Sequence, residues 1–139
     1  MPGQAILLPF LSMMALTMLV WLYMYYHRLT YIARNKVDPE TLKSGLANTA
    51  ELPSNLVDPS NNLKNLFEIP VLFYALCLYL FVTGSVDTVY VTCAWLFFIF
   101  RALHSAVHCT VNIVRLRFGV YAVSTIVLLF MIVRALLAL

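Results

Sequence analysis

The sequence predicts an all-α membrane protein, a bundle of four transmembrane helices. Three observations carry this. Hydrophobic residues make up 63% of the 139 residues and charged residues 11%, with a mean hydropathy of +0.88. Soluble domains are about a quarter charged, so lipid must be the solvent for so much apolar surface. The few charges also fall mostly between four long apolar stretches. Those stretches lack the period-two alternation of a β-barrel strand.

The first span runs from about Ile6 to Tyr26, since no Lys, Arg, Asp or Glu precedes Arg28. No basic stretch comes before it, so it reads as a retained helix and not a cleaved signal peptide. Residues Arg28 to Lys36 are expected to carry that helix beyond the membrane. Ile69 to Val86 has no formal charge and is the second span. Thr88 to about Val111 is the third, interrupted by Arg101 and two histidines. Phe118 to Leu139, broken by Arg134, is the fourth. Each approaches the ~20 residues that cross a bilayer core. The whole chain is expected to be one domain, with helices over roughly 6–34, 62–84, 88–112 and 117–138. The stretch before the second span holds Pro39, Pro53 and Pro59 with Asn48, Asn55, Asn61 and Asn62. Proline and asparagine at this density predict turns.

Lys and Arg set the expected orientation. The first loop holds Arg28, Arg34, Lys36, Lys43 and Lys64, and the third junction Arg115 and Arg117. The second junction has only Asp87. Both termini are therefore expected outside, with the first and third loops cytoplasmic. Positive-inside bias and anionic lipid account for the net charge of +3, so no nucleic-acid partner is expected. Cys77, Cys93 and Cys109 lie within spans and form no CxxC pair, which suits small core residues better than a disulfide framework.

The polar residues inside the spans carry the functional signal. Arg101 follows Thr88 by 13 residues, about 20 Å along a helix and about 10 Å short of the cytoplasmic boundary. A charge at that depth must face protein or water. His104, His108, Asn112 and Arg115 follow Arg101 at offsets that track one helix side. The second helix offers Asn61, Asn65 and Glu68, and the fourth Arg117, Tyr121 and Ser124. On the first, Tyr23, Tyr26 or His27, and Arg34 align. Together these faces predict a polar pocket on the cytoplasmic side. Glu68 and Arg101 read either as a structural ion pair or as ligand-binding groups. Arg115 and Arg117 read as site residues or as positive-inside anchors. His104 and His108, four apart, could bind a metal, with Glu68 or His27 as the third ligand; the favoured reading has no metal. Arg134 is expected to snorkel to the outer interface.

The chain resembles the MAPEG family, the membrane-associated proteins in eicosanoid and glutathione metabolism, and its bacterial-type branch in particular. The matching segments are Asn65-Leu-Phe-Glu68-Ile-Pro70, Arg101-Ala-Leu-His104-Ser-Ala-Val-His108 and Arg115-Leu-Arg117-Phe-Gly-Val-Tyr121. The resemblance implies a homotrimer in a bacterial inner membrane. It also implies glutathione held between subunits and lipophilic substrates arriving from the bilayer. Asn65, Glu68, Arg101 and His104 match glutathione-contacting positions; His108 and Tyr121 join them on the same stripes. Arg115 or Arg117 matches the arginine that stabilises the thiolate. Two positions depart from the eukaryotic enzymes: Asn61 replaces an arginine and His108 a tyrosine. The implied function is a glutathione-dependent transferase or peroxidase acting on lipophilic electrophiles or lipid hydroperoxides. The alternatives are a non-catalytic trimeric scaffold or accessory subunit and, third, a protein that binds metal or quinone through its histidines.

Overall fold

The computed structural model describes residues 2–38, 40 and 52–139. These residues are all-α, and they form four helical spans long and apolar enough to cross a membrane. A short 3-10 turn, Pro2–Ile6, leads into α1, Leu7–Asn35. The second span is a broken helix made of α2, Ser54–Leu66, and α3, Ile69–Val82. α4 is Thr88–Cys109 and α5 is Val114–Leu137. The turns expected at Pro39 and Asn48, and the charge of Lys43, fall outside the described residues.

The uninterrupted apolar run and the absence of glycine let α1 continue past Arg28 to Asn35, as its composition predicts. Lys36 ends it in the left-handed conformation at φ 49°, and the Val37 amide returns to the Ile32 carbonyl at 3.2 Å. The Ser54–Leu66 helix corrects the turn reading. Pro53 precedes the first turn at φ −56°, a position where a fixed φ and a missing N–H cost nothing. Pro59 lies inside the helix and is buried. Packing of one face against α1 and α4 outweighs its helix-breaking tendency. That face is the stripe Leu56, Pro59, Asn62 and Leu66.

Pro70 explains the break. Its ring would strike the Leu66 carbonyl of a continuous helix, and it has no N–H to offer. The chain tightens instead: Phe67 bonds back to Lys64 at 3.0 Å and Glu68 to Asn65 at 3.4 Å. Glu68 leaves helical geometry altogether, at φ −98° and ψ −99°. Beyond α3, Gly84 takes φ +67° and the Ser85 amide closes on Leu80 at 3.0 Å, the left-handed stop that glycine accommodates without strain. Asp87 then caps α4 by accepting from the Tyr90 amide at 3.0 Å.

The core lies between the spans. Phe73 and Phe97 stack at 4.4 Å with Cys77, Leu80, Ala94, Leu128 and Met131 around them. Polar pins join the helices: Arg28 donates to Ser60 at 2.7 Å, and Thr17 pairs with Tyr74 at 3.4 Å. Asn62, wholly buried, accepts from Ser105 at 3.3 Å and donates to the Cys109 sulfur at 3.5 Å. Large apolar side chains cover the outside, among them Leu8, Leu19 and Leu29 on α1 and Ile126, Leu129 and Val133 on α5. Such a surface suits lipid or neighbouring subunits.

Candidate functional site

The site is built on the α4–α5 pair. Residues 97, 101, 104 and 108 recur every three or four positions, so Phe97, Arg101, His104 and His108 form one stripe on α4, and all four are buried. α4 stops just below them. Asn112 adopts φ +44°, which asparagine tolerates better than most residues, and its amide returns to Val107 at 2.8 Å. Its side-chain oxygen accepts from the Arg117 guanidinium at 2.7 Å. Asn112, expected within the third helix, therefore lies beyond it, since α4 ends at Cys109. α5 begins at Val114, so Arg115 and Arg117 sit in its opening turns and not in a loop.

His104 Nδ1 faces the Arg117 carbonyl at 3.1 Å. A carbonyl only accepts, so Nδ1 carries the proton, and the neutral ring keeps a lone pair on Nε2. That Nε2 is buried with no hydrogen-bond partner, and so is Nδ1 of His108. The two rings meet edge to face at 5.5 Å, and Tyr121 lies 5.6 Å from His104. Above them the Arg101 guanidinium stands 4.5 Å over the Tyr121 ring and 5.4 Å from Phe97. Among the described residues none of its three nitrogens meets a hydrogen-bond partner at normal geometry, although the residue is 0% exposed. Aromatic faces attract a guanidinium, but they leave its N–H donors unanswered, and a buried charge without an acceptor is costly.

Arg101, His104, His108, Arg117 and Tyr121 are thus brought together from the expected set. Glu68, Asn65 and Arg115 are not part of this cluster. The expected contact between Glu68 and Arg101 is not made: among the described residues no ion pair joins them. Glu68 is exposed at the α2–α3 break, within electrostatic reach of Arg101 but not touching it. The break is the reason. It takes Glu68 off the helical phase that Asn61 and Asn65 would have set. Asn65 is half-buried just before it. Arg115 and Arg117 are two residues apart, about 200° around a helix, so only one can face α4. Arg117 does, and Arg115 is exposed.

The residue missed was Asn62. Asn61, read as the inward-facing residue, is exposed, while Asn62 is buried against Ser105 and Cys109. The apolar spacing of Leu56, Leu63 and Leu66 was the available signal, outweighed by the surrounding prolines and asparagines. Among the described residues no group of three or more His, Cys, Asp or Glu could hold a metal ion. His27, one candidate third ligand, contacts Asn55 on α2 instead, at 3.4 Å.

At the opposite end, Arg134 does more than snorkel: its guanidinium grips both oxygens of Asp87, one at 3.0 Å, and lies 4.3 Å over Tyr90. The Arg134 hydrogen bonds and the Tyr90 amide hold the Asp87 carboxyl below the usual aspartate range.

No match is found among curated proteins, and none among solved structures. The model of the MAPEG family matches residues 6–137, nearly the whole chain. With the buried arginine and histidines seated between its third and fourth spans, this four-span protein belongs to the MAPEG family.

Proposed function

We propose that this protein is a glutathione-dependent transferase or peroxidase for lipophilic electrophiles or lipid hydroperoxides, working as a homotrimer. The observation that carries the reading is the unanswered charge of Arg101. A wholly buried guanidinium with three unpartnered nitrogens calls for an anion, and glutathione has two carboxylates. Glu68, exposed and in no ion pair among the described residues, suits its ammonium group. When bound, glutathione supplies a nucleophilic sulfur. Arg115 is the better of the two arginines to face that sulfur, because Arg117 is already held by Asn112. A guanidinium there favours the ionised thiol. Arg115 and Glu68 are exposed and Asn65 is half-buried beside Glu68, which suits a site completed by a neighbouring copy. His104 Nε2 offers an acceptor fixed in place by the Arg117 carbonyl. The apolar exterior of the helices excludes water and gives lipophilic substrates a lateral route.

The deciding experiment is a melting curve in mild detergent with and without glutathione, read beside native mass spectrometry. A trimer stabilised by several degrees supports the reading. A trimer indifferent to millimolar glutathione supports the second reading, a non-catalytic scaffold, which the exposed Asn61 favours because the eukaryotic enzymes resembled have arginine there. Orientation is tested separately: on a cysteine-free background, Leu116→Cys should be labelled from the cytoplasm and Val86→Cys from outside. The reverse pattern would place the site on the wrong side.

A further inference from the structure

A cavity lies away from the arginine–histidine cluster. It measures about 470 Å³ and sits between the last turns of α1 and the start of α2. Tyr26, His27, Thr30, Tyr31, Arg34 and Asn55 supply its polar lining. Each of these side chains can donate a hydrogen bond, and among the described residues no carboxylate lines the cavity. Asn55 Nδ2 faces Nδ1 of His27 at 3.4 Å. An amide nitrogen only donates, so the neutral ring carries its proton on Nε2 and presents a second donor. The Tyr23 and Tyr26 rings hold the imidazole edge to face, at 4.5 and 5.4 Å.

Depth decides what such a cavity takes. The first charge of the chain is Arg28, one residue after His27, so these turns lie where the apolar span gives way to charge. Trp21, Tyr25, Tyr26 and Tyr31 cluster here, as aromatic residues do at a membrane–water boundary. Apolar side chains stand exposed beside it: Leu22 at 53% and Leu29 at 62%. A ligand that fits has an anionic, hydrogen-bond-accepting head at the level of Arg34 and apolar chains running along α1. We propose that this cavity binds the phosphodiester headgroup of an anionic phospholipid, with Arg34 as the charge partner and His27, Tyr26 and Tyr31 as donors. Juxtamembrane basic residues attract such lipids on electrostatic grounds alone; the cavity adds shape and oriented donors to that attraction.

The test uses the full-length protein in neutral detergent. Native mass spectrometry with equal phosphatidylglycerol and phosphatidylcholine should show at least a fivefold preference for the anionic lipid. Arg34→Gln combined with His27→Gln should abolish that preference; Arg34 is exposed, and circular dichroism verifies that the helices persist. Lys64→Gln, an exposed cation outside the cavity, should keep the preference. Equal loss in Lys64→Gln would reduce the effect to general surface charge and overturn the proposal. So would no preference in the parent protein. Retention of inorganic phosphate with no response to the lipid would assign the cavity to a soluble phosphate compound instead, and overturn the lipid. Displacement of the lipid by glutathione would make the cavity part of the thiol site and likewise overturn it. Failure of glutathione to bind anywhere leaves each of these results readable.

Discussion

The α4–α5 pair carries an arginine near each end, and the two are treated in opposite ways. At the end away from the histidines Arg134 meets Asp87 with two hydrogen bonds and rests on Tyr90. Toward the other end Arg101 also rests on aromatic rings but meets no acceptor at hydrogen-bond geometry among the described residues, while being far more deeply buried. An exposed pair contributes little to stability, whereas an uncompensated buried charge costs much. The matched arginine thus stands where matching matters least. A fold selected only for stability would place its carboxylate the other way round. The Arg101 end is where stability yields to something else, and ligand recognition is the natural candidate.

The sharpest way to break this comparison is Arg101→Met. Replacing a buried ion pair or triad by apolar side chains of similar volume is often neutral or stabilising, by about 1–4 kcal/mol, and removing Arg101 strands no ion-pair partner among the described residues. The ligand-free variant is therefore expected to melt at or above the parent temperature, while its response to glutathione disappears. A large drop in ligand-free melting temperature would show that Arg101 is already satisfied, for instance across a subunit boundary.

Asn62→Ala should have the next largest effect, and in the opposite direction. It removes the amide that joins Ser105 to Cys109 inside the core, at a cost of about 2 kcal/mol. Chemical denaturation in detergent measures it, and a neutral result would mean that the α2–α4 contact is held by apolar packing alone. Arg115 and Arg117 sharpen the Arg101 end further. Arg117→Gln loses the bond to Asn112 and should destabilise by about 1 kcal/mol. Arg115→Gln should leave the melting temperature unchanged but lower the thiolate absorbance of bound glutathione. Interchanged phenotypes would reverse the assignment of the two arginines.

The smallest loss of stability expected from a broken contact belongs to the Asp87–Arg134 end. Asp87 has its carboxyl depressed in the folded state by Arg134. Its contribution is therefore fully present above the unfolded value of 3.8 and drains away as pH falls below it. Asp87→Asn should lower the melting temperature slightly at pH 7, on the order of 1–2 °C, with the gap closing in strong acid. A gap that stayed constant down to pH 2 would trace the loss to the α4 cap and not to the ion pair.

The spans were legible because lipid imposes a length and an apolar composition on each of them. The Arg101, His104, His108 stripe was legible because one unbroken helix carries it, so spacing translates directly into direction. The pairing of Glu68 with Arg101 was not, and the reason is local. Pro70 interrupts the helix between Asn65 and the α3 core, and spacing across a break no longer measures angle. The helix of residues 54–66 was hidden in another way. Its prolines and asparagines favour turns locally, and only contact with α1 and α4 stabilises the helical alternative. Arg115 and Arg117 could not be separated before α5 had a starting residue, since two positions so close in sequence point to opposite sides once the helix phase is set.

The broken second span also bears on bilayer thickness. α3 has 14 residues, about 21 Å of helix, against a hydrocarbon core of about 30 Å. The apolar helix alone is too short, so a thick bilayer draws the exposed carboxylate of Glu68 and the half-turn around it toward the acyl chains. A thinner one releases them into the headgroups. Hydrophobic mismatch therefore acts on an acidic residue within electrostatic reach of Arg101, and the composition of the host membrane becomes a control on the electrostatics of the site.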